Sequence, residues 1–531
     1  MKKIHFFSLF FSVNIFICTN IFPQHGIDTH WGSEYSIPKV NPGASAGGGV
    51  PNNLVVLPNG TCVNFYTEQF PFPNGTLKSY YAGTSNHGVS WNAPAPVLVP
   101  PVAKTIANAG SIGAAVDKEG NIHISWTSLS PAGIYYAKWN YSTQTWSDTV
   151  RVNQRVDRQL TYQMITVDRK NRIHIMWVDG KVESTLTAEV MYARSTNGGV
   201  SFLPQTQLSN ADGKHSAFPM GDFIGTNSDT LAIAWRDSLS SAQQWDIAMS
   251  VTTNGGQSWG VQSPVSGGVG IQSDPNLVID KNHVMHIVYH EYYTAGCVNA
   301  LCAKVMYGYS TNNGVTWNPT GFRQLSPVNI RAHLTKTAYD YTNNIFWATY
   351  KDERDFNFTT GIPQADIAAV YILNGGTYIS PVNEFVTDKD SLEIGYHNFA
   401  VGTDGILRAT YRSPQLNNSS PNTQYYKERQ AVVSVNENTS ALDNFALQQN
   451  YPNPFNPNTV ISFQLPTAGF VSLKIYNLIG EEVAWLINEN KNAGNYTVNF
   501  NAKNLPSGTY FYRLQTESFN ETKKMMLLKH L

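Results

Sequence analysis

The sequence predicts an all-β protein of radially repeated sheets, followed by a small β-sandwich. Three observations carry this: an eight-residue turn pattern occurs four times, an apolar strand recurs seven times, and charged residues make up only 14% of the chain. The turns read TSNHGVSW (84–91), STNGGVSF (195–202), TTNGGQSW (252–259) and STNNGVTW (310–317). Each runs hydroxyl, any residue, Asn, any residue, Gly, any residue, hydroxyl, aromatic. A degenerate copy, WNYSTQTW (139–146), keeps little beyond its closing aromatic. The closing aromatics fall at 91, 146, 202, 259 and 317, so the intervals are 55, 56, 57 and 58 residues. So steady a drift marks an internal repeat.

The pattern has the chemistry of a tight hairpin. Asn accepts hydrogen bonds from nearby backbone N–H groups, and Gly supplies positive φ at no steric cost. The closing aromatic returns to the interior as an anchor. An alternating strand precedes each copy: SYYAG (79–83), VMYAR (190–194), DIAMS (246–250) and VMYGY (305–309). These turns resemble the Asp-box, or bacterial neuraminidase repeat, of sialidases and other β-propellers. All four carry Asn where that family more often has Asp, which keeps the acceptor oxygen and drops the charge.

A second, more apolar strand lies ahead of each turn. The seven copies are CVNFYTE (62–68), IHISWTS (122–128), IHIMWVD (173–179), LAIAWRD (231–237), MHIVYHE (285–291), IFWATYK (345–351) and ILRATYR (406–412). Several follow an Asp/Asn/Gly turn such as DKEGN (117–121) or GTDG (402–405). Short strands at even spacing separated by turn chemistry predict a β-propeller. Seven strand pairs favour seven blades, with these apolar strands innermost; the sialidase resemblance implies six.

The chain ends differ from this middle. Residues 1–24 open with Lys2 and Lys3 and continue with the apolar run IHFFSLFFSVNIFI, the pattern of a secretory signal. The propeller is assigned to 25–436, a linker to 437–446 and a separate module to 447–531. That module alternates apolar and polar residues between NAG and LPSG turns, which predicts a small Ig-like β-sandwich. Its NYPNPFNP opening (450–457), IYN-x-x-G centre, L-x-SG-x-Y turn and terminal Lys523–Lys524 resemble the type A C-terminal sorting domain of type IX secretion. The resemblance implies export across both membranes of a Gram-negative bacterium, then release or attachment at the outer surface, with the secretion machinery as a partner.

A formal net charge of −1 and the lack of a basic run argue against nucleic-acid binding. Beyond the signal, no segment is long and apolar enough to predict a transmembrane span in the mature chain. Of four cysteines, Cys297 and Cys302 are spaced for a local disulfide in an exported protein, and Cys62 reads as a buried thiol. No spacing predicts a metal site, and no cofactor is expected.

The turns and the DKEGN-type loops fall on one face of such a propeller, so they read as scaffold. The opposite face collects residues after each apolar strand and at the start of each blade. After the strands come Glu68, Asp179, Arg236 with Asp237, His290 with Glu291, Lys351 to Asp355, and Arg412. Opening the blades are Arg158, His215, Asp274, Arg331 with His333, and His397. Charged residues are scarce here, yet they recur at one phase of the repeat. The ligand-binding set is therefore Arg158, Arg236, Arg331, His333, Lys351, Arg354, His397 and Arg412, and the catalytic candidates are Asp179, Asp237, His290 and Glu291.

A concave, charged face near Trp and Tyr suits a sugar acid on an extracellular glycan or glycoprotein. The sialidase resemblance implies three arginines on a carboxylate, the first within an aromatic-Arg-Ile-Pro motif. The nearest match, Tyr35–Ser36–Ile37–Pro38, has Ser in that place, which argues against sialidase activity. Three readings stay open: a binder of acidic glycans, a glycan-active enzyme, and a protein-binding surface propeller. A hydrolase needs two opposed carboxylates. A lyase needs a neutral His and a Tyr, from among His290, His333, His397, Tyr292 and Tyr396, beside a cation that neutralises a uronate.

Overall fold

The computed structural model describes residues 31–529, apart from 42–43, 48–52, 71–75, 100–103, 106–111, 130, 155–159, 181–186, 221–228, 242–243, 267–269, 294–301, 318–321, 328–329, 354–364, 381–382, 388–396, 414–422, 430–445, 451–452, 466–468 and 492–493. The signal (1–24), most of the linker, Arg158, Arg354, Tyr396 and Cys297 lie outside the described residues. The chain divides into two compact units, Met1–Val432 and Val433–Leu531.

Among the described residues, the first unit contains seven antiparallel sheets of four or five strands. Sheets 1 to 7 are named here by their first strands: Leu54–Val56, Ile112–Val116, Leu160–Val167, Ser216–Met220, Ile271–Ile279, Ala332–Asp340 and His397–Val401. Each first strand touches the first strand of the next sheet, and His397–Val401 returns to Leu54–Val56. The sheets therefore form a closed propeller ring with these strands innermost. Tyr35–Ser36 pairs with Thr423–Arg429 as the outermost strand of sheet 7, so the N-terminal part of the chain closes the last blade. The Tyr-Ser-Ile-Pro segment thus begins in an outer strand.

This order corrects one expectation. The apolar strands, such as Ile173–Asp179 and Leu231–Ser241, take second place in their sheets, not the innermost. A second strand is covered on both faces by neighbouring sheets, so it reads as nearly continuous apolar sequence. Trp177, Trp235 and Trp347 on these strands are wholly buried. The core accordingly lies between sheets: Trp177 of sheet 3 packs with Tyr136 of sheet 2, and Trp235 of sheet 4 with Tyr192 of sheet 3.

Strand pairing separates two ends. Ile173 pairs with Ser195 where the eight-residue turn begins, and Asp179 pairs with Glu189 at the other end. The four turns share one hydrogen-bond plan. In the first, Thr84 Oγ1 donates to Asn86 Oδ1 at 3.0 Å, and the Gly88 and Ser90 N–H groups donate to Thr84 Oγ1 and Asn86 Oδ1, each at 3.0 Å. Asn86 Nδ2 also donates to Ser90 Oγ at 2.8 Å, a bond that Asn197, Asn254 and Asn312 repeat. Two successive residues take positive φ, for example His87 (59°) and Gly88 (84°). That requirement explains the His, Gly, Gly and Asn before the glycine, residues the pattern left unspecified.

The second unit encloses one apolar core, including Leu473, Ile475, Tyr512 and Leu514, between a three-stranded and a four-stranded sheet. Its opening segment is pinned by Asn450, whose N–H donates to the Tyr512 hydroxyl at 2.7 Å. In the first unit Cys302 is disulfide-bonded, while Cys62 is free and buried, with burial pushing its thiol up to about 12.

Candidate functional site

The end opposite the turns carries a polar cluster assembled mainly from sheets 5, 6 and 7. A repeated irregularity helps to build it. The innermost strands of sheets 3 to 6 each break register once, and Tyr162, Phe218, Asp274 and Leu334 there take φ of 51°, 55°, 49° and 53°. Positive φ is uncommon outside Gly, and a bulge re-aims the side chain it carries. In sheets 3 and 4 this brings Tyr162 against Phe218, with ring centroids 4.1 Å apart and the planes tilted by 41°. Arg236 lies over the Phe218 ring at 4.5 Å and the Trp245 ring at 4.0 Å.

In sheet 5 the bulge presents Asp274, whose Oδ2 is 3.5 Å from His290 Nδ1. The Tyr292 ring meets His290 edge-on at 4.8 Å, and the His333 ring stands 6.1 Å from it. Glu353 ties sheet 6 together. Its carboxylate meets His333 Nε2 at 3.0 Å, Lys351 Nζ at 2.8 Å and Arg331 Nη1 at 3.3 Å. Arg331 is one-third exposed (33%), so the cluster opens to solvent at its guanidinium.

Burial sets the protonation states. It pushes His290 down to about 4, opposed by Asp274 and reinforced by His333, Arg236 and Arg331. His397 falls to about 3 through burial and the charges of Lys336, His333 and Lys351. Burial also lowers Lys336 to about 8, against the pull of Asp274, and raises the Tyr292 phenol. Glu353 is the reverse case: burial acts to raise it, but His333 and Lys351 hold it at about 2. At neutral pH the imidazoles of His290 and His397 are therefore uncharged and the Tyr292 phenol keeps its proton, and beside them stand His333, the basic Arg236, Arg331, Lys336 and Lys351, and the acidic Asp274 and Glu353.

The sequence candidates separate in space. Arg236, His290, Arg331, His333, Lys351 and His397 come together. Asp237 accepts hydrogen bonds from Ser216 and from Gln262 Nε2 within sheet 4, and burial raises its carboxyl. Glu291 is paired with Lys304 at 3.0 Å. Asp179 is buried between Leu160 and Glu189, and Arg412 pairs in register with Gln424. Glu68 caps Val40 and Asn41. Sequence reasoning missed Lys336 and the Tyr162–Phe218 pair. The signal for both was the bulge, which recurs at the spacing of the repeat.

Residues 126–343 match the BNR repeat-like domain and residues 449–528 match the secretion system C-terminal sorting domain. The chain thus carries a BNR repeat-like region and a secretion-system C-terminal sorting domain, and the latter indicates secretion or placement at the outer surface. Among the described residues no helix is long and apolar enough to cross a membrane. No curated protein sequence matches the chain. Solved structures similar to it include a PL25 ulvan lyase (12% identity, 74% of this chain and 97% of that one, TM-score 0.49). A fungal alcohol oxidase of the AA5 family is similar at 12% identity (94% and 99%, TM-score 0.44), and the Hadza microbial sialidase Hz136 at 12% (66% and 73%, TM-score 0.40).

Proposed function

We propose that the protein acts on acidic glycans outside the cell, and that its polar cluster cleaves a uronate-containing chain by β-elimination. The observation that carries this reading is the grouping of neutral His290, protonated Tyr292 and cationic Arg331 beside His333. Arg331, with Lys336 and Lys351 behind it, neutralises the sugar carboxylate and so acidifies the adjacent C–H bond. His290, uncharged at neutral pH, takes that proton. The electron pair forms the C4–C5 double bond as the C4–O bond breaks, and the Tyr292 phenol gives its proton to the departing oxygen. The Tyr162–Phe218 pair beside Arg236 offers flat faces for a neighbouring sugar ring.

Hydrolysis fits the same residues less well. It needs a carboxyl group that stays protonated to act as acid. Glu353 is held at about 2 and is already tied to His333, Lys351 and Arg331. The test is incubation of the purified protein with polygalacturonate, alginate, glucuronan and chondroitin, following the ultraviolet absorbance of the new double bond. Absorbance that grows with one polymer supports elimination. Binding without absorbance reduces the reading to an acidic-glycan binder, and an absence of binding overturns it.

A further inference from the structure

The opposite end holds a second feature, produced by the degenerate turn. In the regular blades, the turn of one sheet covers the third strand of the sheet before it. A Cβ on Gly199 would meet Tyr136 at 2.2 Å, one on Gly256 would meet Tyr192 at 2.0 Å, and one on Gly88 would meet Tyr426 at 2.5 Å. Tyr136, Tyr192 and Tyr426 are buried as a result. The equivalent residue of sheet 1, three positions before its turn, is Tyr81, and it is only half-buried. Sheet 2 should cover it, but its turn has Thr143 where the others have Gly. Trp139 pairs directly with Trp146 and Asn140 with Thr145, so this turn is a narrow hairpin.

An open cleft of about 400 Å³ lies between sheets 1 and 2 at this place. Its walls include Tyr81, Trp139, Tyr141 and Trp146, with the side-chain amides of Asn59, Asn92 and Gln144 among them. Asn59 Nδ2 donates to the Tyr141 hydroxyl at 3.1 Å, tying the two sheets at the rim. No Asp, Glu, Lys, Arg or His lines it. The size falls within the range of about 300–1,000 Å³ usual for small-ligand sites.

We infer that this cleft binds a neutral sugar ring of a polysaccharide. The absence of charge in the lining favours an uncharged ligand. Aromatic faces match the C–H faces of a pyranose, and amides match its hydroxyls. Asn59 and Gln144 already donate to Tyr141, at 3.1 and 2.7 Å, but a purely apolar ligand would strip water from the remaining polar sites of these amides and of Asn92 without replacing it, which is costly. The cleft is at the end of the ring opposite the polar cluster, so this inference does not rest on the elimination reading.

The test titrates the full chain with cellohexaose, xylohexaose and mannohexaose, following tryptophan fluorescence and calorimetry. At least one should bind and shift the emission, and Tyr141→Ala should weaken that binding ten-fold or more. Ala93 lies in the lining and is exposed, so Ala93→Trp fills the cleft without removing packing. It should abolish neutral-sugar binding while leaving any action on acidic polymers unchanged. A galacturonate oligomer should not compete. Failure of all three neutral sugars to bind, or binding that survives Ala93→Trp, overturns the inference.

Discussion

Gly199 in the turn of sheet 3 sits so close over Tyr136 of sheet 2 that a Cβ there would lie 2.2 Å from the ring. Beneath it, the Tyr136 hydroxyl is 2.8 Å from His123 Nδ1, and His123 Nε2 is 3.1 Å from Asp117. The Tyr hydroxyl donates to the imidazole, whose other nitrogen donates to the carboxylate. Asp168–His174–Tyr192 repeats this chain under Gly256. Sheets 3 and 4 therefore each lock onto a buried polar chain of the preceding sheet through a glycine.

Two substitutions separate backbone strain from overlap. Gly199 and Gly213 both have positive φ, but a Cβ on Gly213 meets nothing within 4 Å. Gly213→Ala should cost about 1–2 kcal/mol, the left-handed penalty alone. Gly199→Ala should cost about 1–3 kcal/mol more, because Tyr136 must move. The two thermal midpoints decide it, and equal losses would show that the turn does not lock the blades.

Acid should loosen the ring near His290 and His397. Both have folded pKa values, about 4 and about 3, below their ordinary 6.5. The unfolded chain then binds more protons in that window, so stability is full above about 6.5 and falls as pH drops toward the folded values. Glu353, held at about 2 against an ordinary 4.5, adds its loss only at lower pH. His397→Gln cannot take the proton, so its melting temperature should fall less between pH 6.5 and 4.5 than that of the wild type. Parallel curves would show that His397 is not held neutral.

Much of this was legible in the sequence because it is local. Asn86 and Gly88 declare their turn through bonds made within eight residues, and the aromatics of the repeat follow from its period. Strand rank within a sheet was not legible. Ile173–Asp179 is the more apolar strand because it is sandwiched between sheets, and only contacts between blades reveal that Leu160–Val167 lies inside it. The phase of the repeat did gather His290, Arg331, His333 and Lys351. Phase did not distinguish them from Asp237 and Glu291, which occupy similar positions but spend their charge on Ser216, Gln262 and Lys304. Lys336 escaped notice because its place depends on the bulge after His333.

Substitutions in the polar cluster should divide by role. Removing Arg331 takes away a charged hydrogen bond worth about 1.5–3 kcal/mol, so Arg331→Ala should raise KM for an acidic polymer ten-fold or more. Arg331→Lys should recover only part of this, since an ammonium lacks the planar fork. Tyr292→Phe keeps the ring beside His290 and removes the proton, so kcat should fall about 10²–10⁴-fold with KM little changed. Steady-state kinetics on the most active polymer would test both, and a Tyr292→Phe variant with full kcat would remove Tyr292 from the reaction.

Export should depend on the second unit and folding of the ring should not. Residues 433–531 form their own compact unit, with a core of Leu473, Ile475, Tyr512 and Leu514 that draws only on their own two sheets. The first unit closes its ring with Tyr35–Ser36 and needs no strand from beyond Arg429. A chain ending at Val432 should therefore keep the thermal transition of the propeller, and the proposed action on acidic glycans, when purified from cell extract. In the native host it should be missing from the outer surface and the medium, because the sorting domain is what the secretion machinery handles. Fractionation of cells expressing the two forms gives the answer. Equal amounts of truncated and full-length protein outside the cell would show that export does not use the second unit.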